Sequence, residues 1–480
     1  MNILHISAEC YPAAKVGGLG DVVGSLPKYL NQLDHSCDVV IPKYETPWLN
    51  RQKYEHIYES EIEMAGISVS FQILKVINDE LGYDLYAVNI PGKFDRPGVY
   101  IDPWTGHAYW DEFERFVSFQ IIVLEWLKES EDRPDIIHCH DHHTGLIPFM
   151  LSQCNRYREM SDIPNVITVH NAEYQGWAGL DRYVLLPAFS MRNIGLLDWN
   201  GQLNSLAAGL KCAWAISTVS ESYMEELCIE SNGLEQLFRD EFEKSFGIVN
   251  GIDADIWDPA TDTLLDHNYS FRNRKKGKKE NKKQICDEFG LNPELPTISF
   301  IGRLVREKGA DLLPDLFRNY LYSEKEVNFI LLGTGDPQLH EIFTNMEHDH
   351  MGYFDATLEY NEQLAHKIYA GSDFILMPSR VEPCGLNQMF AMRYGTIPIV
   401  RSVGGLKDTV KDISREEGYG ITFQEFNLPD AAEAIERAVD MYYDEKRMSS
   451  MITKVMKLDF SWRSSAKKYI SMYNKIKSEN

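Results

Sequence analysis

Short apolar runs recur along the chain, separated by stretches in which apolar residues return at helical spacing. In the first half these runs are MNILHIS, CDVVIPKY, YDLYAVNIP, PDIIHCHD, NVITVHN, AISTVS and FGIVNGID. In the second half they are TISFIGRL, NFILLG, DFILMPS and TIPIVR. Brief β-rich runs alternating with helices predict parallel sheets covered on both faces. Two such series predict an α/β chain of two doubly wound domains, whose ligands bind beyond the carboxyl ends of the strands. The change to Gly, Asp and Pro in VNGIDADIWDPATD puts the crossing between them at residues 251–258.

One short pattern occurs twice at such strand-to-helix junctions. V-G-G-L-x-D-x-V stands at residues 16–23 and again at residues 403–410. Each copy follows a strand-like segment and opens a helix. Paired glycines there are expected to turn the backbone tightly and to bring amide N–H groups close to a ligand.

Composition narrows the function classes. The 480 residues suit two domains better than one. A formal net charge of -24 repels nucleic acid and anionic membrane surfaces. The N-terminus enters a strand at once and no apolar run is long enough to cross a bilayer, so the protein is expected in the cytoplasm. The eight cysteines form no C-x-x-C pair, which suits reduced thiols in packed interiors. The basic stretch RNRKKGKKENKK, residues 272–283, has no interleaved aromatic residues and is expected to be a solvated loop leading into a helix before Leu291.

Five predicted strand ends carry polar side chains that a structural turn does not need. They are Lys15 beside Gly17 and Gly18, His140-Asp141, His170-Asn171, Arg303 with Lys308, and Glu382. Any one of these is more often structural than functional. Their convergence on one predicted cleft reverses that reading. Two cations on one loop, together with helix-start amides, suit a diphosphate without a metal ion. Glu382 precedes a helix expected to begin near Gly385 and to end before Gly395, where it can accept from sugar hydroxyls or complement the dipole. In HCHDHH, His138 and His140 share a strand face, but a strand end running into a helix start explains the run better than a metal site.

The runs KVGGLGDVVGSLPKYL, HCHDHHTGL, HNAEYQG, STVSESY, NGIDADIWDP, GRLVREKG, PSRVEPCGLNQMFAMRYGTIPIVRSVGGLKDTV and DFSWRSSAKKYISMY resemble the bacterial glycogen and starch synthases, in order and over almost the whole chain. The resemblance implies the GT-B fold: a Rossmann-like domain over residues 1–252, a second over 253–458, and a helix over 459–480 returning to the first. It implies transfer of glucose from a nucleotide diphosphate sugar to the non-reducing end of an α-1,4-glucan, with retention and without a cofactor. It also implies two jaws that close about a hinge at residues 251–258 and before Trp462.

By matching motifs, Lys15, Gly17 and Gly18 resemble donor contacts, with Asp21 close by, and His170 resembles the residue that holds the glucose. Asn250 corresponds to the asparagine near the sugar, and Arg303 and Lys308 to the diphosphate pair. Tyr360 corresponds to the aromatic on the base. Glu382, Cys384, Gly385 and Leu386 correspond to the glucose and phosphate cradle. Val16, Gly20, His142, Glu173 and Glu307 depart from common family residues. Related transferases carry a second glutamate where this chain has Phe390, which favours the glucan-synthase branch. ADP-glucose is the expected donor, with UDP-glucose as the alternative. A catalytically silent glucan-binding protein on the same fold is the reading from another class.

Overall fold

The computed structural model describes residues 1–322 and 326–478. The chain divides into two compact units. The first comprises Met1–Val219, Met224–Ile248 and Trp462–Asn480, and the second Ser220–Tyr223 and Val249–Ser461.

In the first unit, strands β1 (Asn2–Ile6), β2 (Ser36–Pro42), β3 (Lys53–Met64), β4 (Ile67–Ile77), β5 (Leu85–Asn89), β6 (Ile136–His140) and β7 (Asn165–Val169) are followed by a small antiparallel sheet. That sheet is made of β8 (Trp177–Gly179), β9 (Asp198–Trp199) and β10 (Gln202–Asn204). Strands β11 (Ala215–Thr218) and β12 (Ser245–Gly247) then return to the main sheet. Its order is β12-β11-β7-β6-β1-β2-β5-β4-β3. The strands from β12 to β5 run parallel, and β4 and β3 close one edge as an antiparallel hairpin.

Buried β-branched and aliphatic residues of the parallel strands (IIHCH in β6, NVITV in β7) leave little room for alternation, as the apolar runs predict. The hairpin departs from them. In KYEHIYESEIEM most side chains are exposed, so no apolar run betrays the strand. Helix α1 (Gly18–Asn31) and the C-terminal helix Trp462–Ser478 cover one face. Val22, Leu26 and Leu30 pack with Trp462, Tyr469 and Tyr473.

In the second unit, strands β13 (Thr297–Ile301), β14 (Asn328–Leu332), β15 (Phe354–Thr357), β16 (Phe374–Met377), β17 (Ile397–Arg401) and β18 (Ile421–Phe423) form an all-parallel sheet. Its order, β15-β14-β13-β16-β17-β18, is that of a dinucleotide-binding Rossmann sheet. The edge strands β15 and β18 are only four and three residues long, too short to stand out as apolar runs. No helix among the described residues is long and apolar enough to cross a membrane.

The basic stretch at residues 272–283 is not a solvated loop. It forms most of a helix, Arg274–Phe289, with Gly277, Lys278, Asn281, Lys282, Ile285 and Cys286 on one buried face at helical spacing. Lys278 Nζ donates to the carbonyls of Ala370 (3.1 Å) and Ser372 (2.8 Å) and to Thr396 Oγ1 (2.7 Å). Lys282 Nζ meets Asp373 Oδ2 and the Leu295 carbonyl, each at 2.6 Å. Both side-chain nitrogens thus satisfy acceptors at helix and strand ends, where a charge run read along the sequence suggests only solvent, and burial lowers Lys278 to about 7. In Lys278→Met the Ser372 carbonyl still accepts from Thr396 Oγ1. The Ala370 carbonyl loses the bond from Nζ. The substitution is expected to cost about 2 kcal/mol, lowering the thermal transition of this unit by roughly 5 °C; a calorimetric scan of the full chain checks it.

Candidate active site

Parallel pairing sends the carboxyl ends of β1, β6 and β7 to one edge of the first sheet. The loop after β1 is held by Glu9, a residue the sequence reading passed over. Its Oε2 accepts from the backbone N–H of Val16 (2.6 Å) and Gly17 (2.9 Å), and its Oε1 accepts from Tyr100 Oη (2.7 Å). Glu9 is buried, and only the burial of an acid three residues past a strand could have signalled it.

The loop so held presents Lys15, whose Nζ pairs with Asp21 Oδ1 at 2.7 Å. Gly17 is the N-cap of α1 and is extended, with φ of -141°. A Cβ on Gly17 or Gly18 would meet nothing within 4 Å. The first glycine pair is therefore not demanded by a tight turn, contrary to the sequence expectation. What it leaves is an open approach to the helix-start amides.

The ends of β6 and β7 bring histidines together. His170, 9% exposed, follows β7, and its backbone N–H donates to Asp141 Oδ1 at 2.7 Å. His170 Nε2 lies 3.0 Å from His140 Nδ1, and His140 Nε2 lies 2.9 Å from His5 Nδ1. His138 is bonded to Thr168 Oγ1 and, at 2.7 Å, to Tyr473 Oη of the C-terminal helix. Burial holds both His170 and His5 down to about 3, so these rings are neutral. Two groups of side chains offer ligand atoms within 4.8 Å of one another, His5 with His138 and His140, and Glu112 with His142 and His143. In the first, every ring nitrogen except His5 Nε2 is already in a hydrogen bond. Beside the second, a cavity of about 260 Å³ is lined by Phe113, Phe116, Tyr174, Trp177, Glu112 and Glu173, among others.

In the second unit the loops after β13, β16 and β17 meet. Arg303 is exposed just past β13. Lys308 Nζ reaches both carboxylate oxygens of Glu382, at 2.7 and 2.6 Å, and Ser379 Oγ donates to Glu382 Oε2 at 3.0 Å. These two partners cover the Glu382 carboxylate, and the residue is 4% exposed. Glu307, the acid next to Lys308, is exposed. The helix expected from Gly385 begins two residues later, at Asn387, and ends at Arg393. Gly385 takes the left-handed conformation, φ +74°, as the chain passes from Cys384 to Leu386, the N-cap.

The second V-G-G-L turn docks on this loop. Gly405 N–H donates to the Glu382 carbonyl at 3.0 Å, and a Cβ on Gly405 would stand 2.1 Å from the Cys384 carbonyl oxygen. Here glycine is required for close packing. Burial pushes the Cys384 thiol up to about 12, so it is an inert packed thiol. Asn250 is buried with its Oδ1 unpartnered. Tyr360 is 80% exposed, three residues beyond edge strand β15. Phe390, in place of a second glutamate, stacks on Trp257 at 3.7 Å between ring centroids.

Burial raises the Asp141 carboxyl to about 7, only partly opposed by the backbone bonds from His170 and Asn171. Because the folded state then binds a proton that the unfolded state has released, stability is highest below about pH 4 on this account. It is lost as pH rises through about 7. Asp141→Asn keeps an acceptor oxygen and removes the titration. Its unfolding free energy relative to wild type is expected to improve between pH 4 and pH 7, as denaturant melts at several pH values will show.

Comparison with known proteins agrees with this geometry. Residues 2–240 match the family described as Starch synthase catalytic domain, and residues 281–455 match Glycosyl transferases group 1. The chain is 47% identical over 477 residues to the glycogen synthase of Flavobacterium johnsoniae, covering 99% of each. It is 36% identical over 496 residues to that of Streptococcus sanguinis, covering 99% of this chain and 100% of the relative. Among solved structures, the catalytic domain of Starch Synthase IV from Arabidopsis thaliana, bound to ADP and acarbose, superposes with a TM-score of 0.86 at 32% identity and covers 99% of each chain. Sucrose-phosphate synthase from Thermosynechococcus elongatus, at 16% identity and a TM-score of 0.61 over 100% of this chain and 99% of its own, shares the fold. With two Rossmann-like sheets and this similarity along its whole length, the chain belongs to the glycogen and starch synthase family of GT-B glycosyltransferases.

Proposed function

We propose that the enzyme transfers glucose from ADP-glucose to the non-reducing end of an α-1,4-glucan, with retention of configuration, in the cytoplasm and without a cofactor. The observation that carries this reading is the Lys308–Glu382 pair, a cation and a carboxylate on adjoining strand-end loops next to helix-start amides. The adenine nucleotide is supported by the Arabidopsis relative, which is bound to ADP.

Breaking the bond from glucose to the diphosphate leaves an oxocarbenium-like carbon and a leaving group of growing negative charge. In this reading Arg303, Lys308 and the amides at Gly17, Gly18, Gly385 and Leu386 meet that charge, with Lys15 held in place by Asp21. Each well-aimed donor contributes on the order of 3 kcal/mol to the barrier. Glu382, with Cys384 packed behind it, accepts from glucose hydroxyls while orienting Lys308. His170 and Asn250 hold the sugar, and Tyr360 covers the base. A covalent route needs a second carboxylate close to the first, which this reading does not include. A same-face substitution, in which the departing phosphate assists the incoming hydroxyl, is the mechanism that follows.

Two measurements test the proposal. Nucleotide release is followed with ADP-glucose and with UDP-glucose, each with and without glycogen. Glycogen-dependent ADP release that exceeds UDP release is expected. Faster release from UDP-glucose reassigns the donor, and release from neither identifies a silent glucan binder. Glu382→Gln preserves the size of the covered side chain and is expected to cut kcat by about 10²- to 10³-fold, far more than the modest fall in thermal transition that loss of the ion pair with the part-exposed Lys308 brings. Near-wild-type turnover in that variant removes Glu382 from the site.

A further inference from the structure

The chain His5–His140–His170 has one property that its individual bonds do not. His140 is neutral and both its ring nitrogens face another imidazole, Nδ1 toward His170 Nε2 at 3.0 Å and Nε2 toward His5 Nδ1 at 2.9 Å. A neutral imidazole has one N–H, so His140 must donate on one side and accept on the other. The three tautomers are therefore locked together, and only two arrangements satisfy both bonds. In one, protons point from His170 through His140 to His5, which places an N–H on His5 Nε2. In the other they point from His5 to His170, which leaves His5 Nε2 as a bare lone pair and puts the His170 proton on Nδ1.

His5 Nε2 decides between them. It is buried without a partner, and His5 as a whole has no exposed surface. An orphaned buried N–H is rarer and costlier than an under-satisfied lone pair. We propose that His5 and His140 are positioning residues that hold His170 as the Nδ1–H tautomer, so that Nδ1, the ring nitrogen outside the relay, is a hydrogen-bond donor and not a lone pair.

The neighbouring polar groups do not offer His170 another choice. Asp141 is occupied by the His170 backbone N–H, and His138 is tied to Thr168 and Tyr473. Thr168 Oγ1 continues to Ser217 Oγ, away from the relay. Protonating His170 would set its Nε2–H against the Nδ1–H of His140, so the relay also keeps the ring uncharged, in line with its burial. The chemical consequence, a donor for a glucose hydroxyl oxygen, rests on the reading of His170 as a sugar contact; the tautomer does not.

Long-range ¹H–¹⁵N correlation spectra of the full chain, labelled at histidine nitrogens, test this directly, with His170 identified by the signals lost in His170→Asn. A protonated Nδ1 and a bare Nε2 on His170 are expected. A protonated Nε2, or an averaged mixture, overturns the proposal. His5→Asn keeps an amide donor at the Nδ1 position and is expected to retain the tautomer, whereas His5→Leu is expected to release it to a mixture and to lower kcat by about tenfold. A retained tautomer in folded His5→Leu would also overturn it. If His5→Leu does not fold, the wild-type spectrum alone decides. If the wild-type tautomer is as stated and neither donor is turned over, the relay stands and the functional reading fails.

Discussion

Parallel strand pairing is the constraint on which the rest of this structure depends. It forces every strand of a sheet to deliver its carboxyl end to the same edge, so residues far apart in sequence become neighbours there. Lys308 and Glu382 are 74 positions apart and share an ion pair because β13 and β16 are adjacent and parallel. His5, His140 and His170 form one relay because β1, β6 and β7 are consecutive in the other sheet. In both sheets the connections diverge at the first strand, between β13 and β16 and between β1 and β6. The loops part there and leave their polar ends uncovered by a crossover helix.

Buried polar groups then shape what the strand ends present. A carboxylate or ammonium removed from water is tolerated only when its hydrogen bonds are remade. Glu9 meets this condition through two backbone N–H groups and Tyr100, and in doing so sets the course of the loop that carries Lys15. Asp141 meets it only in part, through the backbone N–H groups of His170 and Asn171, and burial raises its carboxyl to about 7. Lys278 and Lys282 meet it at the ends of helices and strands beneath the second sheet. None of these groups is proposed to touch substrate. Their role is to hold loops whose own short segments have too few apolar contacts to stay in place.

The two V-G-G-L turns show how one sequence pattern can serve different physical ends. At Gly405 the missing side chain lets a helix start press onto the Cys384 carbonyl. At Gly17 and Gly18 nothing would obstruct a side chain, and the benefit is clear space before the amides. A motif alone does not separate packing from access, because both remove the same atoms.

The sequence by itself determined the fold class and the placement of most candidate residues. Runs such as IIHCH and FILM are apolar enough to be buried on both faces, and a polar residue just after such a run must lie at a strand end. The hairpin of β3 and β4 and the edge strands β15 and β18 were not legible in the same way, because β3 is mostly exposed, β4 alternates polar with apolar residues, and β15 and β18 are only four and three residues long. Tertiary structure alone decided that Lys278 and Lys282 are interior, that Glu382 is covered by Lys308 and Ser379, and that Glu9 orders the first loop. It also decided the partners of His170. Each of these depends on which acceptor or donor arrives from a distant segment. Local spacing can put a charged residue on a face or at a strand end, but the energy of burying it is set by groups that only the folded chain brings within hydrogen-bond distance.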